Sequence, residues 1–317
     1  LPCKLKGYEH INVVYGFNYQ GFFYNPDNRD RMALAYGALK THLDGTYKIL
    51  GADVLQTTYT PTTEAEIAQW LEKLLTYPRL AIDIEAFSLK HYEAGIGTIS
   101  FSWDEHSAVK FAVDAVATKP YEIDVWDKKD KKFKKRIAHI KQADNYPVKA
   151  LLKKFFESYT GQHIWHNASY DVTVLIYELW MDSIIDRRGL LTGLDVMTKH
   201  MECSQVVTYL ATNSCAGNSL GLKDQAHEFV GNYAIEVKDI RLQPLDELLH
   251  YNAIDTCATM YVWDKNYARM VEDEQEDLYL NHFKYYLVDI IDMQLTGMCL
   301  DMEAVQVAKE ELTRIRD

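Results

Sequence analysis

RLAIDIEAF, residues 79–87, decides how the rest of the chain is read. Leu80, Ile82 and Ile84 alternate with Ala81, Asp83 and Glu85, the two-residue period of a strand. Asp83 and Glu85 therefore leave one face, while Ile82 and Ile84 leave the other, into a core. Apolar sequence flanks both acids, and an unpaired carboxylate is costly to bury in such surroundings. A divalent cation would compensate; the bland alternative is an exposed strand face carrying two solvated acids.

Strand-like runs follow at 96–103 and 108–113, so that three strands in order suggest an antiparallel meander. Further on, 148–159 reads as a helix preceded by Pro147, and 163–166 as a short strand. Val172, Leu175, Ile176 and Leu179 have helical spacing, and 245–264 reads as another long helix. Strands first, then strand and helix in alternation, predict an α/β layered domain with a mixed sheet. On the N-terminal side lie the Tyr/Phe/Gly-rich stretch VVYGFNYQGFFYNP, 13–26, and a helix at 62–75 opened by Thr62-Thr63-Glu64 and stopped near Pro78. On the C-terminal side, 266–317 reads as helical apart from a break at Gly297. The expected division is 1–75, with no readable role, then 76–265 as the catalytic unit, then a helical segment 266–317.

Apolar residues make up 48% and charged residues 25% of the 317, the profile of a soluble globular protein. No run approaches the roughly 20 uncharged apolar residues of a membrane span. The chain starts at Leu1 with no signal-peptide pattern, so both ends read as cuts of a fragment. Five scattered cysteines with no C-x-x-C pair predict free thiols in a reducing cytosol. The net charge of −12 argues against broad phosphate contact. A metal-dependent nuclease, however, concentrates carboxylates that bound cations then reverse. Basic residues cluster in KKDKKFKKR, 128–136, which reads either as a solvated loop tip or as a contact to a DNA backbone.

Two more segments carry acids. Asn167 and Asp171, in WHNASYD at 165–171, stand at the entry to a helix. Four residues apart, they would share a helix face, or Asn167 would simply cap the helix with Asp171 favoured in its first turn. Tyr251 and Asp255, in LLHYNAIDTCATMYVW at 248–263, are again four apart on a helix; a buried Tyr–Asp hydrogen bond without chemistry is the bland reading. D-x-E, then N-x-x-x-D, then Y-x-x-x-D is far more specific in combination than any one pair. Four carboxylates brought together could hold two Mg²⁺ or Mn²⁺ ions, which prefer oxygen ligands. Such ions, about 3.5–4 Å apart, serve nucleases in activating water and stabilising the leaving oxygen.

DIEAFSL (83–89), HNASYD (166–171) and YNAIDTCAT (251–259) resemble the three motifs of the proofreading exonuclease domain of family A DNA polymerases, in the DnaQ-like (DEDD) superfamily. The closest likeness is to bacteriophage replicative polymerases. LDVMTKHM (194–201) and SLGLKDQAHEFVG (219–231) resemble the segments between the second and third motifs. QLTGMCLDMEAV (294–305) resembles the start of the polymerase thumb. The resemblance implies an RNase H-like (DnaQ-like) mixed sheet flanked by helices, with a small N-terminal region and a helical C-terminal segment. It implies a two-metal 3′→5′ exonuclease that releases 5′-nucleotides from a single-stranded DNA 3′ end. The setting would be phage DNA replication in the host cytoplasm, with a polymerase domain in cis in the full-length protein. The palm and fingers are missing, so this chain would not synthesise DNA.

By the same resemblance, Asp83, Glu85 and Asp255 would hold one ion. Asp83, with Asp171 through water, would hold the other. Tyr251 would orient the nucleophilic water. Leu89 would pack on the terminal base, and Asn167 would lie near the substrate backbone; beyond the resemblance, the aromatic ring of Phe87 would be a further surface for the last bases. Ala86 stands where many members have Thr. The superfamily divides into members with Tyr four residues before the last Asp and members with His five before it, and this chain has both Tyr251 and His250. The −4 position shares the helix face with Asp255, whereas −5 lies roughly 140° away; the reading is therefore the Tyr subclass, with His250 a bystander. Alternatives are an RNA-processing exonuclease resembling RNase D, a stand-alone repair exonuclease, and a catalytically inactive DNA-binding scaffold of the same fold. The thumb-like tail favours the polymerase, and the presence of all four carboxylates disfavours the scaffold.

Overall fold

Six strands form the central sheet of the computed structural model, which describes residues 2–5, 7–14, 18–20, 28–47, 51–127, 130–212, 219–231, 237 and 239–316. The aromatic stretch at 13–26 falls mostly outside those residues. From edge to edge the strands are β10 (Met201–Cys203), β9 (Gln162–Trp165), β4 (Arg79–Glu85), β5 (Thr98–Ser102), β6 (Ser107–Ala112) and β3 (Thr57–Tyr59). Strand β4 pairs parallel with β9 on one side and antiparallel with β5 on the other. The antiparallel meander expected from the sequence is β4–β5–β6, and the sheet is mixed because β9, β10 and β3 run parallel to their neighbours. Two hairpins stand apart from it, β1 (Pro2–Leu5) with β2 (Tyr8–Val14), and β7 (Ala115–Asp127) with β8 (Lys132–Gln142).

The longer helices are α1 (Asn28–Leu43), α2 (Glu64–Leu74), α3 (Tyr146–Ser158), α4 (Ala168–Trp180), α5 (Arg187–Thr198), α6 (Ser204–Thr212), α7 (Leu245–Glu272), α8 (Lys284–Thr296) and α9 (Met302–Arg316). Helix α2 starts where its sequence says it should. The Thr63 hydroxyl accepts from the Glu66 amide at 3.3 Å while the Glu66 carboxylate accepts from the Thr63 amide at 3.1 Å, a reciprocal cap. Helix α7 outruns the expected 245–264 to reach Glu272. Helical structure then breaks at Glu274, in the left-handed region at φ 56°, as well as at Gly297.

Both faces of β4 are covered, which explains why its acids sit among apolar residues. Leu80, Ile82 and Ile84 face the main core with Ile99, Phe101, Val109 and Phe111 from β5 and β6. Helices α2, α3 and α4 close that side through Ile67, Leu71, Leu152, Phe155, Val172 and Ile176. Each such side chain contributes about 1.5–3 kcal/mol by leaving water. On the other face Ala81 packs with Ile164, Met260 and Trp263 beneath α7. Thus β3 and α2, which precede residue 76, belong to the sheet and the main core, as do Ile291 and Leu295 of α8.

Gly97, just before β5, is where close approach forbids a side chain. A Cβ there would stand 2.5 Å from the carbonyl oxygen of Glu85 and 2.6 Å from Ile240 Cδ1. A second fixed point is Lys149, whose buried ammonium lies 2.9 Å from Asp114, 2.8 Å from Glu178 and 3.3 Å from Asp144. Burial alone would lower the pKa of this lysine, but the hydrogen bonds to Glu178 and Asp114 outweigh it and hold the value above the usual range.

In the basic run, Lys128 and Lys129 lie outside the described residues. Residues 132–136 are not a loop tip but part of strand β8. Lys134 pairs there with Asp127 at 2.6 Å and Asp130 at 2.5 Å, and Lys135 with Glu122 at 2.7 Å. Among the described residues no helix is long and apolar enough to cross a membrane.

Candidate active site

Strand β4, helix α4 and helix α7 each deliver acids to one place between the sheet and α7. One oxygen each from Asp83, Glu85 and Asp255 lies within 4.8 Å of the others, although 170 residues separate Glu85 from Asp255 in the chain. Asp83 and Glu85 are half-buried and Asp255 is buried. Asp171, buried in the first turn of α4, is not part of that triplet, but its charge acts on both Asp83 and Glu85.

The electrostatics follow from crowding. Burial, and then the charges of Asp171, Glu85 and Asp255, push the Asp83 carboxyl well above the usual carboxylate range; a hydrogen bond from Asn252 opposes the shift. Glu85 is raised in the same way by burial and by Asp255 and Asp171, with Lys223 pulling it back. Burial also raises Asp171, against hydrogen bonds from its own amide and that of Ile84. Four acids held this way form an all-oxygen donor set with excess negative charge, which suits hard divalent cations such as Mg²⁺ and Mn²⁺.

Several polar groups brace the acids. Asn252 Nδ2 donates to Asp83 Oδ2 at 2.6 Å and approaches the Asp83 carbonyl oxygen at 3.3 Å, while Thr98 Oγ1 donates to Asn252 Oδ1 at 3.3 Å. The hydroxyl of Tyr170 donates to the carbonyl oxygen of Ser88 at 2.8 Å, tying α4 to the chain leaving β4. Burial, with Asp171 and Glu85 nearby, raises the Tyr170 phenol to about 12. His166 is held neutral, its pKa lowered to about 4 by burial. Its Nε2 donates to the carbonyl oxygen of Leu220 at 3.0 Å, and Nδ1 sits 2.8 Å from the Ser204 hydroxyl.

Tyr251 is half-buried one helical turn before Asp255. Burial first, then the charges of Asp255 and Glu85, raise its phenol above the ordinary tyrosine range. The neighbouring His250 is exposed, with its pKa lowered by partial burial and by Lys110. Asn167 and Asp171 do not share a helix face. Helix α4 begins at Ala168, and Asn167 precedes it in the left-handed region at φ 62°, exposed and with no side-chain cap bond. Asn is among the few residues that adopt this conformation at low cost. Leu89 is 90% exposed and open to a ligand, whereas Phe87 is half-buried and packs against the cluster of Ala115, Ile140, Ile240 and Leu248. Phe87 also borders a cavity of about 520 Å³ shared with Tyr121, Lys141 and Arg241. Residue-type patterns gave no signal for Asn252 or for Lys223, whose ammonium lies 2.5 Å from the Tyr251 hydroxyl.

Comparison with known proteins adds the following. A family model described as 3′–5′ exonuclease matches residues 59–271. A search of curated protein sequences found no match. A nuclease solved in its apo form aligns with a TM-score of 0.48 at 18% identity, covering 76% of this chain and 93% of that one. NrnC of Brucella melitensis, solved with bound Mg²⁺, aligns with a TM-score of 0.48 at 15% identity over 76% of this chain and 94% of that one. RNase D of Escherichia coli aligns with a TM-score of 0.47 at 14% identity over 77% of this chain and 52% of that one.

Proposed function

The chain belongs to the 3′–5′ exonuclease family, and from that membership we propose that it removes 5′-nucleotides from the 3′ end of single-stranded DNA as the proofreading part of a family A DNA polymerase of the bacteriophage type. The observation that carries the nuclease site is the convergence of Asp83, Glu85 and Asp255, with oxygens within 4.8 Å, beside the buried Asp171. Support for the polymerase setting comes from the thumb-like segment 294–305. It comes also from α9, where Val305, Val307, Leu312 and Ile315 are exposed; a further part of a polypeptide would cover them. The catalytic unit is taken to begin at β3, because β3 and α2 complete its sheet and core.

In this reading Asp83, Glu85 and Asp255 would hold one divalent cation, and Asp83 with Asp171 would hold a second. When bound there, the pair supplies positive charge that neutralises the acids and favours in-line attack of water on a phosphodiester. Asn252 fixes the carboxylate of Asp83, so its free oxygen keeps a constant direction. Tyr251 aligns the attacking water. Leu89 and Phe87 offer apolar surface to the last bases, a contact that tolerates any base. Asn167, exposed at the mouth of α4, reaches the substrate backbone. Catalysis here is positioning and electrostatics, with no covalent enzyme intermediate.

The test is digestion of matched single-stranded DNA and RNA by the purified chain in Mn²⁺. Wild type should shorten DNA from the 3′ end, and Asp83→Ala should lose the activity while keeping its circular dichroism. Preference for the RNA strand would replace the proofreading reading with RNA 3′ processing. Wild-type rates in Asp83→Ala would end the nuclease assignment.

A further inference from the structure

We propose that Lys223 is a positioning residue of this site, acting through the hydroxyl of Tyr251 to set which way the attacking water is held. The inference rests on the nuclease reading above.

Lys223 lies in the helical turn Leu222–Gln225, 28 residues before Tyr251. Its Nζ donates to the Tyr251 hydroxyl at 2.5 Å and also stands 4.8 Å from the centroid of that ring. One ammonium thus fixes the phenolic oxygen. The turn is itself pinned. His166, the first residue of the second motif, holds the carbonyl oxygen of Leu220, and Gln225 Nε2 donates to the carbonyl oxygen of Ser219 at 2.7 Å. Asp224 is engaged by the Ser219 hydroxyl. Just downstream, Ala226 and Val230 pack on Ala253, Ile254 and Cys257 of α7, the helix that carries Tyr251 and Asp255. The segment bearing Lys223 and the helix bearing Tyr251 therefore share one rigid contact.

A hydrogen-bond inventory gives the consequence. A tyrosine hydroxyl has one proton to donate and two lone pairs. At Tyr251 the ammonium of Lys223 takes one lone pair and so turns the phenol proton away from itself. A hydroxyl fixed in this way meets the attacking water in one orientation. Without Lys223 the hydroxyl can rotate, and that orientation is lost.

Lys223→Met keeps the stem and removes the donor. Expected is a fall in kcat of about 10²-fold, the scale of a misplaced reacting group. KM for single-stranded DNA and Mn²⁺ binding by calorimetry should be unchanged. Lys223→Arg should recover most of the rate. In a Tyr251→Phe background, adding Lys223→Met should cost nothing further, because the hydroxyl it acts through is gone. Independently of activity, 3-fluorotyrosine placed at position 251 should show a shifted fluorine resonance when Lys223 becomes Met. The proposal is overturned if that resonance does not move, if kcat is unchanged, or if the two substitutions multiply, which would make Lys223 a direct substrate contact. If the wild-type control itself degrades no nucleic acid, the nuclease reading falls and takes this one with it; a wild-type rate in Lys223→Met alone removes only this one.

Discussion

Replacing Asp83 by Asn removes charge from a place where, in the absence of cations, charge is costly. The oxygens of Asp83, Glu85 and Asp255 lie within 4.8 Å. Two unit charges at such a separation repel by ~3.5 kcal/mol at the effective dielectric of about 20 that suits protein sites. Protonation offers relief. Keeping an aspartic acid of ordinary pKa protonated costs about 5.5 kcal/mol at pH 8 but only ~1.5 kcal/mol at pH 5. The folded site settles for the smaller penalty at each pH. The direction agrees with the raised Asp83 carboxyl, whose causes are burial and then Asp171, Glu85 and Asp255. A raised acid in the folded state holds a proton that the unfolded chain has released. Stability therefore falls as pH climbs from the ordinary carboxylate range through the raised value. Asn at this position keeps an oxygen for the bond from Asn252. In EDTA at pH 8, Asp83→Asn should be more stable than wild type by about 2–3 kcal/mol, or about 4–12 °C in Tm. The gap should shrink to about 1 kcal/mol at pH 5. Added Mn²⁺ should raise the Tm of wild type and leave the variant nearly where it was. Scanning calorimetry in EDTA and in Mn²⁺ at both pH values reads all four conditions. A variant less stable than wild type in EDTA at pH 8, or a gap that ignores pH, would refute the picture of crowded, cation-seeking acids.

Other substitutions probe separate links. Tyr251→Phe should lower kcat about 10²-fold, whereas the exposed His250→Ala should retain the wild-type rate; the reverse order in a steady-state assay would place the chain in the His subclass. Gly97→Ala presses a methyl against the Glu85 carbonyl, so it should cost about 1–3 kcal/mol by urea denaturation and weaken Mn²⁺ binding, both absent if the strand can yield. Lys149→Met leaves Asp114 and Glu178 without their partner and should cost about 3–5 kcal/mol of stability, while DNA cleavage rates measured well below the lowered Tm stay unchanged.

The sequence by itself determined the elements and the residue types of the site. Alternation in 79–87 fixes the facing of Asp83 and Glu85, because a pleated strand has a period of two. Apolar spacing likewise announces α4 and α7, because a helix has a period near 3.6. The reciprocal cap at Thr63 and Glu66 and the break at Gly297 are also local events, written in a few adjacent residues. Tertiary structure alone decided the rest. Asn252 carries no sign in sequence that it clamps Asp83, since that contact spans 169 positions and depends on how α7 lies across the sheet. Lys223 sits in a segment, 219–231, that the sequence marks only by its resemblance to a stretch between the second and third motifs, and it meets Tyr251 because His166 and α7 pin both ends of that segment. Asn167 looked like a helical neighbour of Asp171 until the backbone turned left-handed one residue before α4. β3 joins the sheet across the expected boundary at residue 76 because the edge of β6 offers backbone groups that need a partner, while α2 adds Ile67, Leu71 and Leu74 to the core. Periodicity records which face a side chain leaves; what it meets there is set by long-range packing that no local window of residues contains.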